Sequence, residues 1–333
     1  MRQLNIGLTY DLKDEYLAEG FGKVDVAEFD SLETIEGIEN SLLRLGHKVD
    51  RIGRLNGLVK RLAAGDEWDL VFNIAEGLRG PTRESQVPAL LEAYGIPATF
   101  GDSLCLALCL HKGFCKHVIK SHHIPTAPFV VVEDPDHDFA AIDLCYPLFA
   151  KPVAEGTGKG VSPAGKVADA GQLRDVCRGL LERFRQPVIV EEFLPGREFT
   201  IGVIGTGRDA RVLGAMEVVL GDKADPELYT YENKDKYEDR VTYRLAEFGA
   251  REWEAADIAL ESYRVLGCRD AGRVDIRCDA NGLPMFMEIN PLAGLNHIHS
   301  DLPILCRLLG ISYDTLMSDI VASAAERIKN SGL

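Results

Sequence analysis

No run of apolar residues in this 333-residue chain approaches the length of a membrane span. No charged segment followed by an apolar one opens it either, so a secretory leader is not expected; Met1 leads almost directly into a strand-like segment. No basic run offsets the acidic balance of 52 Asp and Glu against 37 Lys and Arg, a formal charge of −15. Nucleic acid and an anionic membrane are therefore disfavoured as main partners. An anionic small molecule can still bind in a local basic pocket. The eight cysteines include no C-x-x-C pair and no Cys/His zinc spacing. They are expected as buried reduced thiols, which fits a cytoplasmic protein. His297 and His299 sit two apart, which does not make a metal site. There is no internal repeat and no low-complexity tract. What is present is ordinary for a globular protein: 46% hydrophobic residues and a length that supports two or three domains.

The first hundred residues alternate strand and helix. Strand patterns at 4–10, 49–52 and 69–74 are separated by helical ones. Ile35, Ile38, Leu42 and Leu45 share a helical face; Asp30 or Ser31 caps it, Glu33 supports its first turn, and Gly46 stops it. A second helix is expected over 58–64, and a polar loop over 11–29. This alternation predicts a parallel sheet with helical crossovers, whose ligands lie beyond the carboxyl ends of its strands. Asp11 and Glu76 fall there. Further on, helices are expected over 85–94 and from Asp102 or Ser103 through Val118. The second is interrupted by Lys112. Strands are expected at 129–132, 146–151, 188–193 and 199–204, and helices at 172–184 and 253–266. Residues 229–236 read as a polar, aromatic, mobile loop. Two helices, at 303–309 and 313–328, close the chain.

The stretch from Gly272 to Ser300 organises the rest. Arg273 to Asp279 alternates charged and apolar residues, Asn281-Gly282 is a turn signal, and Met285 to Asn290 returns as a strand. Arg273, Asp275 and Arg277 share one strand face; Glu288 and Asn290 share one face of its partner. If the faces coincide, two carboxylates and an amide oxygen converge beside arginines. Hard oxygen ligands on rigid strands suit Mg²⁺ with phosphate oxygens and water. A second constellation begins at Lys151-Pro152 and runs through Glu155, Gly156, Thr157, Gly158, Lys159 and Gly160. Its glycines allow a backbone to approach phosphate oxygens, although the spacing is not that of a Walker A loop. A third lies at the strand-to-loop crossover ending in Leu194, where an apolar slot between domains can take a nucleotide base. Glu198 can accept ribose hydroxyls there or pair with Arg197.

Together these runs resemble the ATP-grasp superfamily, most closely the D-alanine–D-alanine ligases. The matching residues are Gly95-Ile96-Pro97, Leu110-His111-Lys112, Lys151-Pro152 with Glu155-Gly156, Val190-Glu191-Glu192 with Glu198-Phe199-Thr200, Gly272-Arg273-Val274-Asp275 and Glu288-Ile289-Asn290. The resemblance implies that Lys112 and Lys151 contact nucleotide phosphates and that Glu155, Gly156, Thr157, Gly158 and Gly160 belong to a phosphate lid. Glu191, Glu192, Phe193 and Leu194 would frame the adenine, with Glu198 at the ribose. Lys234 would reach the terminal phosphate. Asp275, Glu288 and Asn290 would hold two Mg²⁺ ions. Arg273 and the Gly294 N–H would stabilise oxyanion charge, and Ser300 would meet the second amino acid's carboxylate.

All departures from the family pattern lie on the amino-acid side. The glutamate expected in a Glu-Val-Ser segment after the first strand has no counterpart. Glu76 replaces a histidine, Thr157 a serine and Asp235 a tyrosine, while Pro291-Leu292-Ala293-Gly294 stands for Thr-Ser-Pro-Gly. Glu76 is expected at the first amino acid's pocket. The resemblance implies an α/β, three-domain ATP-grasp fold: an N-terminal parallel-sheet domain over 1–100, a central subdomain with the lid over 101–190, and a C-terminal subdomain with the metal and catalytic residues over 191–333. It implies a homodimer using ATP and Mg²⁺ to join a carboxylate to an amine through an acyl phosphate, with D-alanyl-D-alanine, a peptidoglycan precursor, as product. A ligase for other amino acids or a specialised acid, and a non-catalytic ATP-binding regulator, are the alternatives.

Overall fold

A computed structural model of the chain describes residues 2–221, 240–247 and 249–331. The expected loop at 229–236, with Lys234 and Asp235, lies outside them. The first unit runs β1 (Asn5–Thr9), α1 (Lys13–Ala18), α2 (Leu32–Arg44), β2 (Lys48–Gly53), α3 (Leu55–Ala63) and β3 (Leu70–Asn73). Its strands are parallel in the order β2-β1-β3. β1 and β3 are almost entirely buried, as strands covered on both faces must be. In α2 the Ser31 hydroxyl accepts the Thr34 N–H, and Ile35, Ile38 and Leu42 face the core. The chain leaves that helix at Gly46, whose φ of 90° suits glycine. Helix α1 falls inside the segment expected as a loop. It spans six residues and buries only Tyr16, too little for a 3.6-residue period to register.

Next come α4 (Gln86–Ala93), α5 (Ser103–Leu110) and α6 (Lys112–Ser121). A single helix was expected across the last two. The backbone breaks at His111, with ψ of 89°, and the ring accepts the Phe114 N–H to cap α6. Asp102 caps α5 in the same way, on Cys105. The break puts Lys112 at the start of its own helix.

A four-stranded antiparallel sheet in the order β4-β7-β5-β6 follows. It is built from β4 (Phe129–Val132), β5 (Leu148–Pro152), β6 (Lys166–Val167) and β7 (Val188–Glu192), with α7 (Ala170–Phe184) packed on it. The third sheet has β8 (Glu198–Ile204), β9 (Arg211–Leu220), β10 (Val241–Leu245), β11 (Ala271–Cys278) and β12 (Pro284–Asn290) in the order β10-β9-β8-β11-β12. Helix α8 (Ala250–Val265) precedes β11; α9 (Asp301–Leu308) and α10 (Tyr313–Ser331) follow β12. β9 and β10 were not read from the sequence. β9 carries apolar residues on both faces, so it shows no alternation.

Packing crosses the sequence divisions. α10 buries Leu316, Met317, Ile320 and Val321 with Leu4, Ile6, Ile35 and Ile38 of the first unit. α5 and α6 bury Cys105, Cys109 and Ile119 with Phe199 and Ile201 of the five-stranded sheet and Tyr263 of α8. Asp270 joins these parts. Fully buried, it accepts the Phe100 N–H at 2.8 Å, the Thr206 hydroxyl at 3.2 Å, the Ser323 hydroxyl at 2.9 Å and Arg327 at 2.6 Å. Its φ is 63°, a region that Asp and Asn tolerate best among non-glycine residues. Asp270→Asn keeps the shape and backbone preference but removes the buried negative charge that faces Arg327. The expected loss is about 3 kcal/mol of stability, as for a broken buried pair. An unchanged denaturant midpoint would show that this junction does not hold the units together.

Candidate active site

The β11–β12 hairpin brings its charged residues together by register. Asp275 lies opposite Glu288, and Arg273 opposite Asn290. Asp275 is buried and accepts the Thr200 hydroxyl at 3.0 Å and the Asn290 amide at 3.4 Å. Arg273 pairs with Asp275 at 3.0 Å and also with Asp301 at the start of α9. Lys112 lies 3.6 Å from Glu288. Two carboxylates facing across a rigid hairpin, with an amide beside them, fit a hard divalent cation such as Mg²⁺. The neighbouring Lys112 and Arg273 suit the phosphate charge that accompanies such an ion.

Across the cleft, Glu191 on β7 is fixed between two lysines. Lys116 from α6 donates to it, and Lys151 from β5 lies 2.9 Å away. All three are buried. Burial alone would raise the Glu191 carboxyl, but Lys116 and Lys151 outweigh it and hold it at about 2. Burial also works against the charge of Lys151, yet Glu191 and Glu288 keep its ammonium above the usual value. Lys116 is lowered, because burial outweighs the pull of Glu191. The Glu191 side chain is thus committed to lysines. Lys116 itself escaped the sequence reading: it sits on a helix whose pattern gives no reason to bury a charge.

A cavity of about 90 Å³ opens beside this group, lined by Lys112, Lys151, Glu155, Gly158, Glu191, Glu192, Phe193, Leu194, Glu198, Asp275 and Glu288 among others. Glu198 pairs with Arg277 at 3.5 Å, while Arg197 turns away to Glu217 and Glu252. Arg277 also lies over the Phe193 ring, 5.1 Å from its centroid. A second cavity of about 250 Å³ is lined by Glu76, Lys112, Glu155, Gly156, Thr157, Arg273, Glu288, Asn290, Gly294 and Ser300 among others. The two share Lys112, Glu155 and Glu288. Gly294 abuts Ser300 closely enough that a Cβ would lie 2.9 Å from the serine hydroxyl. Gly160 lines neither cavity. Its φ is 79°, and Pro152 occupies the space a Cβ would need, so glycine there serves the path of the lid. A larger groove of about 850 Å³, between Pro97, Arg211 and Arg327, contains no candidate residue.

The lid is tied to the first unit. Glu28 accepts the Gly156 N–H at 2.6 Å and pairs with Arg83 at 2.8 Å. Arg83 donates to the Ala154 carbonyl at 2.8 Å. Glu155 pairs with Lys159 at 2.7 Å, and Lys112 donates to the Glu155 carbonyl at 2.5 Å. Glu28, Asp30, Glu76 and Glu84 all line the larger cavity. Burial works against ionisation of Glu28, but Arg83 and Lys159 hold it below its ordinary value. Burial, with Glu84 and Glu28 nearby, drives Glu76 well above its own. Burial pushes Glu84 and Asp30 each up to about 7. Glu84 and Arg83 were passed over in the sequence because they sit in a polar loop.

The fold also gathers Cys105, Cys109 and Cys268, with their sulfurs within 4.8 Å of one another. Cys268 is distant in sequence, so no spacing rule could find this cluster. Cys145 is exposed, against the expectation of buried thiols.

Residues 118–322 match the family model for the D-ala D-ala ligase C-terminus. Over 80% of its length the chain is 34% identical to a D-alanine–D-alanine ligase of Cupriavidus pinatubonensis, covering 78% of that protein. It superposes on the D-alanine–D-alanine ligase of Bacillus anthracis complexed with ATP with a TM-score of 0.73 and 20% identity, covering 98% of this chain and 99% of that one. The VanG D-Ala:D-Ser ligase of Enterococcus faecalis gives a TM-score of 0.73 at 21% identity, covering 97% and 100%.

The depressed Glu191 carboxyl has a pH signature. Its pairing contributes fully above the ordinary value of 4.5 and is lost as the pH falls from there towards about 2. The urea midpoint should therefore drop between about pH 5 and about pH 3 in the native protein and drop less in Glu191→Gln. An equal drop in both would remove Glu191 as a source of acid lability.

Proposed function

Because the chain belongs to the D-alanine–D-alanine ligase family, whose fold is ATP-grasp, we propose that it joins D-alanine to an amino acid through an acyl phosphate, releasing ADP and phosphate. The observation that carries this reading is the meeting of the two cavities at Lys112, Glu155 and Glu288. A terminal phosphate at that junction can meet a carboxylate in the larger cavity. A carboxylate is a poor acylating agent, and phosphorylation supplies the leaving group it lacks. D-Alanyl-D-alanine, a building block for peptidoglycan, is the product that the name of its Cupriavidus relative puts first. A second reading, with a different amino acid at one position, is favoured by Glu76 and Glu84 in the cavity wall.

In this reading Lys112 and Lys151 bind the nucleotide phosphates. The wall from Glu191 to Leu194 takes the base, with Glu198 at the ribose. Asp275, Glu288 and Asn290 would hold Mg²⁺, as a pair of ions. Bound there, Mg²⁺ supplies neutralisation of phosphate charge. Phosphoryl transfer depends mainly on such positioning and charge neutralisation. Arg273 and the Gly294 N–H stabilise the oxyanion formed when the amine attacks. Lys234 serves the terminal phosphate, and Ser300 binds the carboxylate of the attacking amino acid. The lid, with Glu155, Gly156, Thr157 and Gly158, keeps water from the acyl phosphate; Gly160 shapes it. We assign the substrate domain to 1–100, the lid subdomain to 101–190 and the catalytic subdomain to 191–333. We further propose a cytoplasmic homodimer. No helix among the described residues is long and apolar enough to cross a membrane.

Amino-acid-dependent ADP release with D-alanine and Mg²⁺ tests the reaction. Glu288→Gln should retain the fold and lower turnover by about a hundredfold or more, the scale of losing one electrostatic contact to the transition state. Near-native turnover would reject Glu288 as a site residue.

Lys112→Met keeps most of the apolar stem while removing the charge. It should weaken ATP binding at least about tenfold, a modest share of what a desolvated charge contact supplies, with little change in the apo melting temperature. Lys151→Met should weaken ATP binding and also lower that temperature, because it strips Glu191 of one partner. Calorimetric titration with ATP, beside thermal melts, checks both; unchanged affinity in Lys112→Met would leave Lys112 a structural role only.

A further inference from the structure

The first unit closes the larger cavity with more negative charge than a simple amino acid needs. Glu28 is committed to Arg83 and to the Gly156 N–H. Asp30 has the Thr34 side chain and Lys13 nearby. Glu76 and Glu84 are different. Both sit deep in the protein and line the cavity, and the partial exposure each keeps is exposure to it. Among the described residues no hydrogen bond or ion pair reaches either carboxyl. Burial and then Glu84 work against ionisation of Glu76; burial works against that of Glu84, with Arg83 and Lys112 pulling the other way from beyond contact distance.

Two desolvated carboxyls favour taking up protons in the empty cavity, and a cation entering between them favours the ionised forms instead. The protein supplies no cation at hydrogen-bonding distance of either, so both are available to one carried by a ligand. One ammonium, the α-amino group of any amino acid, answers one carboxylate. The second remains, and the cavity, at about 250 Å³, has room for a side chain well beyond a methyl group. An uncharged side chain would bury the second carboxyl without a partner. A side chain ending in a cation would pair with it.

We propose that this end of the cavity selects an amino acid with a second positive charge on its side chain, with Glu76 and Glu84 as the specificity-determining pair and D-alanine as its co-substrate. The inference rests on the ligase reading above for the identity of the cavity as the amino-acid site. It makes Glu84 a residue of the substrate pocket, and it explains why a carboxylate stands at position 76.

The probes are both enantiomers of lysine, with norleucine as a control that lacks only the terminal ammonium, and alanine. ADP release is measured with full-length protein, MgATP and D-alanine, alone and with each probe. One enantiomer of lysine should exceed norleucine and D-alanine alone by at least about tenfold in kcat/KM, since a charge pair in a desolvated site readily supplies that factor. In Glu84→Gln, and separately in Glu76→Gln, the lysine-to-norleucine ratio should fall towards one; as a ratio within one variant, it is insensitive to partial unfolding. Equal rates with norleucine, or full activity on D-alanine alone, overturn the inference and leave the ligase reading standing. Titration calorimetry of each probe separates the two in the other direction. Tighter binding of lysine than norleucine without any ADP release would uphold the cationic pocket and sink the ligase reading. Binding that does not distinguish the two probes overturns the inference as well.

Discussion

The lysines beside the smaller cavity depend on one buried carboxylate. Glu191 lies on β7, between β4 and β5 in the sheet, and it draws one lysine from β5 and one from α6. A lone buried charge there would be prohibitive, and two lysines without it would repel. Together they are stable, and they fix the position and ionisation of Lys151 at the edge of the smaller cavity. The same argument explains why Lys112 begins a separate helix. A continuous helix through His111 would carry it past the hairpin acids; the break sets it 3.6 Å from Glu288.

The second theme is coupling between units that are far apart in sequence. The lid does not close on itself. Its Gly156 N–H is taken by Glu28 and its Ala154 carbonyl by Arg83, both from the first unit. The unit that lines the larger cavity with Glu28, Glu76 and Glu84 therefore also holds the loop at 154–156. A disturbance at Glu28 or Arg83 reaches both that loop and the larger cavity, whereas Glu76 and Glu84 only line the cavity.

Much of this was legible in the sequence because the relevant signals are local. The hairpin from β11 to β12 announces itself by alternation; its register, which brings Asp275 opposite Glu288 and then shifts by a bulge after Asp275, is seen only in the structure. Helix α2 is marked by period, cap and glycine. The remainder was hidden for physical reasons. β9 is apolar on both faces, α1 is too short to show a period, and His111 breaks a helix through a cap that looks like any other polar residue. Lys116 and Arg83 owe their burial to partners tens of residues away. Charge in a polar loop normally means solvent, and only the tertiary fold shows that Arg83 is buried and that Glu84 lines a cavity.

Helix α10 carries a consequence for how the molecule is made. Its apolar face completes the core over β1 and α2, so the earliest part of the chain is finished by almost the last. A ribosome releases residues from the N-terminus first. The first sheet therefore emerges with one cover missing and stays so while the other two units are synthesised. Such distant contacts slow folding, because a long loop must close before they give any return. The first hundred residues therefore keep an apolar face uncovered until residues 313–331 are free to pack on it.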